Sequence, residues 1–121
     1  MSTKQSAQYA FGFEKLDVYR ASIEFVTLSV RIATKLPRGS SAIRDQLRRA
    51  AMSIPLNIAE GSGRPTADDA ARHYGIARGS ALECAAALDV IRALECGPVE
   101  PILAARELLV RIVRMLTKMC R

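Results

Sequence analysis

Three short breaks do most to limit what this chain can become: Pro37-Arg38-Gly39, Gly61-Ser62-Gly63 and Cys96-Gly97-Pro98. Between them the apolar residues recur every three or four positions, the spacing of a helix with one buried face. The breaks predict four helical segments, at about residues 14–36, 41–60, 66–95 and 99–121. Thr66 is placed to cap the third, with Asp68 and Asp69 in its first turn where negative charge suits the helix dipole. Short links between long helices force neighbours to run in opposite directions. The expected fold is therefore all-α, an antiparallel up-down-up-down four-helix bundle spanning residues 13–121 behind a flexible tail at 1–12. The 121 residues suffice for one core and not for two.

The apolar seams follow this plan. Ile102, Ala105, Leu109, Ile112, Leu116 and Met119 form one in the fourth segment. Tyr74, Ala77, Ala81, Cys84, Leu88 and Ile91 form one in the third. The third segment also carries Gly75 and Gly79 among many alanines. Since mid-helix glycine costs about 1 kcal/mol against alanine, close approach by a neighbouring backbone is the expected compensation.

The first segment has more apolar surface than one bundle needs. Leu16, Tyr19, Ile23, Val26, Val30 and Ala33 make one stripe, and Val18, Ala21, Phe25, Leu28, Ile32 and Leu36 make a second, with Ser22 and Ser29 between them. Excess apolar surface is usually covered, so a homo-oligomer is expected, with Val18, Phe25, Leu28 and Ile32 as its candidate interface. A wide monomer core or a different protein partner would also account for the excess.

Net charge is +6, and 14 of the 18 Lys and Arg residues are arginine. Arginine's planar fork suits phosphate oxygens, so RNA or DNA is a possible partner. Arg111, Arg114, Lys118 and Arg121 share one face of the fourth segment, and Arg44, Arg48 and Arg49 cluster on the second. These seven are the candidate nucleic-acid contacts. No aromatic residues interleave with them, which implies binding to backbone and shape. A solvated arginine-rich surface is the plainer alternative.

No enzyme is expected, and no catalytic, cofactor-binding or metal-binding residue is assigned. A single histidine, His73, rules out a histidine-cluster metal site, and no Glu-x-x-His pair suggests a di-iron bundle. Gly61-Ser62-Gly63 lacks the lysine of a phosphate-cradling loop and reads as a helix cap and turn. Cys84, Cys96 and Cys120 have no metal-like spacing. The N-terminal MSTKQSAQYAFG lacks the apolar core of a secretory signal, and no run approaches the ~20 apolar residues of a membrane span. A cytoplasmic location is expected.

One stretch resists a purely architectural reading. SIPLNIAEGSG, residues 53–63, sets Pro55, Asn57 and Glu60 inside the helix whose seam Ile54 and Ile58 continue. Proline inside a helix leaves the Ala51 carbonyl without its donor, a penalty of ~3 kcal/mol unless relieved. Asn57 is expected to bond to backbone nearby or to the start of the third helix. Glu60 is expected to pair with Arg64, Arg72 or His73. A structural joint is preferred to a catalytic element, and presentation of Glu60 or Arg64 to a partner stays open.

The stretches FEKLDVYRASIEF, QLRRAAMSIPLNIAEGSGR and RHYGIARGSALE together resemble the four-helix-bundle family encoded in intervening sequences of bacterial 23S rRNA genes. Its signature falls here on Ser53, Pro55, Asn57, Glu60 and Gly61, with Arg64 beyond. The resemblance implies a ring-like, pentameric homo-oligomer and supplies no catalytic residue or cofactor. The chain is also similar, in architecture and charge sign, to the accessory protein of diversity-generating retroelements, a basic pentameric bundle that associates with a reverse transcriptase and nucleic acid. The functional expectation is a nucleic-acid-associated accessory protein that binds phosphates through basic helix faces. The alternative is an oligomeric protein-interaction or structural module without nucleic-acid affinity.

Overall fold

The structure is a computed structural model that describes residues 10–121; residues 1–9 of the expected tail lie outside the described residues. A 3₁₀ turn, Gly12–Lys15, leads into four helices: α1 (Asp17–Thr34), α2 (Ser41–Ser62), α3 (Ala67–Ala93) and α4 (Val99–Met119). No strand occurs among the described residues.

Each helix packs against its neighbour in sequence, and α1 also packs against α4, so the four enclose a single core. α2 and α4 stand diagonally, with no extensive shared face. Phe25, Ile32, Leu47, Ile54, Ile58, Leu88, Ile91, Ile102, Leu109, Ile112 and Leu116 are the large side chains fully withdrawn from solvent. Burial of each stabilises the fold by about 1.5–3 kcal/mol before chain entropy is counted.

The helix ends have local causes. Leu16 is extended (ψ 128°) and separates the 3₁₀ turn from α1, which therefore begins later than the periodicity suggests. At the other end of α1, the Arg44 side chain donates to the carbonyls of Ala33 (3.2 Å), Leu36 (3.1 Å) and Pro37 (3.3 Å). Ala33 lies in the last turn of α1, where carbonyls lose their helical partners, and Leu36 and Pro37 lie in the link beyond it. Thr66 Oγ1 accepts from the Asp69 N–H at 3.2 Å and caps α3.

The second and third breaks end their helices in different ways. α2 continues through Gly61 and Ser62, and Gly63 ends it in an αR conformation (φ −95°), not a left-handed cap. In the third break the left-handed residue is Glu95 (φ 53°). Gly97 serves close packing there, because a Cβ would sit 2.5 Å from Ile91 Cγ2 and 3.0 Å from Ile102 Cδ1.

Two packing expectations are corrected. Val18, Phe25 and Ile32, placed by the sequence at an interface between copies, are buried within the subunit, and Leu28 packs partly buried against the same core. Ser22 and Ser29 lie at the centre of that buried face; their hydroxyls donate to the Tyr19 (2.6 Å) and Val26 (2.8 Å) carbonyls, so the two stripes act as one wide core face. The apolar residues that α1 leaves exposed are Ile23 and Val30. Gly75 and Gly79 meet no neighbour: nothing lies within 4 Å of a Cβ built at either, and both face outward.

Candidate functional site

The signature stretch and the basic faces form separate regions. α2 runs unbroken through the buried Pro55. One turn on, Asn57 Nδ2 donates to the Ser53 carbonyl (2.9 Å) and to Ser53 Oγ (3.1 Å). Ser80 of α3 donates to the same Ser53 hydroxyl at 2.8 Å. With its amide nitrogen so committed, Asn57 turns Oδ1 toward His73 Nδ1, 3.4 Å away. An Nδ1–H of the ring would donate to that oxygen.

His73 is 6% exposed, and its Nε2 has no hydrogen-bond partner. Glu60 Oε2 stands 3.9 Å from Nδ1, while Glu60 Oε1 accepts from Arg64 at 2.9 Å. Of the three partners open to Glu60, Arg64 is the one it bonds directly. Gly61 lets the two helices close: a Cβ there would meet Tyr74 Cε1 at 2.7 Å and His73 Cβ at 3.1 Å. The signature thus links the last turns of α2 to the first turns of α3 through a largely self-satisfied polar chain. Glu60 and Arg64 remain half-exposed at its rim.

The seven candidate phosphate contacts divide into groups. Arg44 is engaged on the carbonyls that end α1, so its guanidinium is not free for phosphate. Arg48 and Arg49 are exposed and line a shallow groove with Asp45 and Met52, all from α2. Because α2 and α4 are diagonal, these two do not join the α4 cations in one packed surface. Arg111, Arg114, Lys118 and Arg121 are exposed along the end of α4.

Arg111 and Arg114 line an open groove of about 430 Å³ between α1 and α4, together with Asp17, Arg20, Ala21, Glu24 and Met115. Sequence spacing gave no sign of this groove, since it brings the start of α1 beside the end of α4. Asp17 is paired with Arg20. Among the described residues, neither Arg111 nor Arg114 forms an ion pair. Elsewhere cations are engaged: Arg106 stands 3.0 Å from Asp89 in a charge contact without hydrogen-bond alignment, and Arg78 Nε donates to Thr117 at 2.9 Å.

A second groove, of about 280 Å³, runs between α3 and α4, with walls from Leu82, Ala85, Leu109, Val110 and Val113. Arg114 borders this groove as well as the first. Cys84 is fully buried; burial, and then the neighbouring Glu83 charge, push its thiol up to about 12. A thiol so placed is inert as a nucleophile. Among the described residues no group of three or more His, Cys, Asp or Glu is placed to hold a metal ion, and no helix is long and apolar enough to cross a membrane.

The family model for the 23S rRNA-intervening sequence protein matches residues 14–118. The chain belongs to this family. Its fold is also similar to the crystal structure, at 1.70 Å resolution, of a protein with unknown function from the S23 ribosomal protein family of Bacteroides thetaiotaomicron VPI-5482. The two share 22% identity and a TM-score of 0.79, over 86% of this chain and 98% of the other. At that identity the likeness concerns the fold alone. No curated protein matches the chain.

Proposed function

We propose that this family member is a non-enzymatic accessory protein that holds a nucleic-acid backbone along the C-terminal half of α4. The observation that carries the reading is the pair Arg111 and Arg114, exposed beside a groove and without an ion pair among the described residues, in a chain whose other arginines include several engaged in its own contacts. Lys118 and Arg121 extend the same face. Each phosphate neutralised releases condensed counterions, so affinity falls log-linearly with salt. Arg48 and Arg49 form a second, separate basic patch.

The working particle is an antiparallel up-down-up-down bundle assembled as a homo-oligomer in the cytoplasm. Antiparallel order is supported by the pairings Gln46–Glu83, Ser53–Ser80 and Asn57–His73 between α2 and α3, and Asp89–Arg106 and Arg78–Thr117 between α3 and α4. Assembly is supported by the exposed Ile23, Val30, Leu82, Val90, Leu103 and Val110. A ring of five is the stoichiometry that family resemblance implies.

The same exposed residues favour a second reading, a protein-interaction module whose charge serves only solubility; the apolar α3–α4 groove would then be its working surface. A titration of nucleic-acid-free protein against structured RNA and duplex DNA across a salt series separates the two. Binding that weakens steeply with salt supports the first. Absence of binding by the folded, assembled protein supports the second.

A further inference from the structure

The sequence offers no aromatic residues interleaved with arginine, yet the 3₁₀ turn packed on α1 and α2 carries an exposed aromatic stack. Phe11 is 64% exposed, and among the described residues it is the only aromatic side chain that is mainly exposed. Its ring lies parallel to that of Phe13, with 5.7 Å between centroids and 4° between planes. Phe13 is held edge-on by Tyr19, at 4.8 Å and 63°. The backbone beneath the stack is fixed twice: the Phe11 N–H donates to Glu14 Oε1 at 2.9 Å, and the Glu14 N–H donates to the Phe11 carbonyl at 3.1 Å.

Arg20 connects this stack to the groove. It donates to the Glu14 carbonyl at 3.0 Å, pairs with Asp17, and lines the same groove as Arg111 and Arg114. A rigid ring with much of its surface exposed is otherwise unfavourable in water. With Arg20 standing between it and the α4 cations, it has the make-up of a single-strand site, in which bases stack on aromatic rings while arginines follow the phosphates.

We infer that Phe11 is a stacking platform for an unpaired nucleotide base, and that the phosphates next to that base run toward Arg111 and Arg114. The inference rests on the nucleic-acid reading above and names its substrate class: single-stranded or looped nucleic acid. Bases inside a continuous duplex have no free face to offer the ring. Two of the acidic groups nearby are already engaged, Asp17 by Arg20 and Glu14 by the Phe11 N–H. Glu24 lines the groove, has no ion partner among the described residues, and opposes phosphate. Glu24→Gln should therefore tighten binding.

The chain has no tryptophan, so Phe11→Trp places a single reporter on the platform. Titration with a short oligothymidylate should quench that fluorescence saturably, while relaxed circular duplex DNA should not. Phe11→Leu, which keeps an apolar side chain and removes the aromatic face, should weaken oligothymidylate binding by about 5- to 100-fold and leave duplex binding unchanged. Unchanged oligothymidylate affinity in Phe11→Leu, or quenching that follows protein concentration without nucleic acid, overturns the stacking role while leaving the parent reading intact. Failure of the unsubstituted protein to bind either nucleic acid at low salt removes both.

Discussion

The α2–α3 joint and the α1–α4 groove are both rich in polar and charged side chains, but they treat them in opposite ways. In the joint Ser53, Ser80, Asn57, Glu60 and Arg64 bond to one another or to nearby backbone. In the groove Arg111, Arg114 and Glu24 face one another's vicinity without pairing. A group satisfied inside its own subunit serves stability. An unsatisfied, exposed cation is held in readiness for something else. On this contrast we assign the conspicuous signature a structural role and place the proposed nucleic-acid contacts on a less conspicuous stretch of α4.

Substitutions can break the contrast from either side. The largest effect is expected from Arg111→Glu with Arg114→Glu, which should weaken nucleic-acid binding roughly tenfold or more. Both side chains are exposed, so the circular dichroism melt should be preserved. Gly61→Ala should do the reverse. Its Cβ would displace Tyr74 and His73, destabilising the fold by about 1–3 kcal/mol in urea denaturation, with the salt dependence of binding by folded protein unaltered. Arg44→Ala sharpens the same point. It removes the side-chain donor from the Ala33, Leu36 and Pro37 carbonyls, of which Ala33 and Pro37 keep backbone donors, and should lower stability by about 1 kcal/mol, with no loss of affinity despite removing a positive charge.

Gly79→Ala tests the outward face of α3. With nothing within 4 Å, it should raise stability by about 0.5–1 kcal/mol, at unchanged particle mass in light scattering. A fall in mass would instead place a neighbouring subunit against that glycine. The smallest effect near neutral pH concerns Cys84. Its folded thiol titrates at about 12 against an ordinary 9.0, so the folded state keeps a proton that the unfolded chain releases. The resulting contribution is complete below about pH 9 and is lost as pH rises toward 12. Denaturation midpoints across that window should decline, and less steeply in Cys84→Ala than in the unsubstituted protein.

Much of the helical architecture is visible in the sequence because it follows from local rules. The breaks at Pro37 and Pro98, the Thr66 cap and the seams of α3 and α4 each depend on residues within a few turns of one another. Errors arose where a residue's partner is distant or absent. Arg44 reads as a surface cation until α1 ends beneath it. Phe25 and Ile32 read as surplus because two stripes flanking buried serines look like two faces. Gly75 and Gly79 read as packing residues, although their side of α3 has no neighbour in the subunit. The α1–α4 groove joins residues some ninety positions apart, and the Phe11–Phe13 stack stands on a 3₁₀ turn outside the helix seams. Periodicity carries neither fact.

The central claim is that the unpaired cations of α4, and not the signature joint, engage nucleic acid. Its most direct test compares the slope of log affinity against log salt for the unsubstituted protein and for Arg111→Gln with Arg114→Gln, both verified as folded and of equal mass. The account predicts a slope shallower by about 2 in the double variant. An identical slope, or no binding by the folded unsubstituted protein, would contradict it.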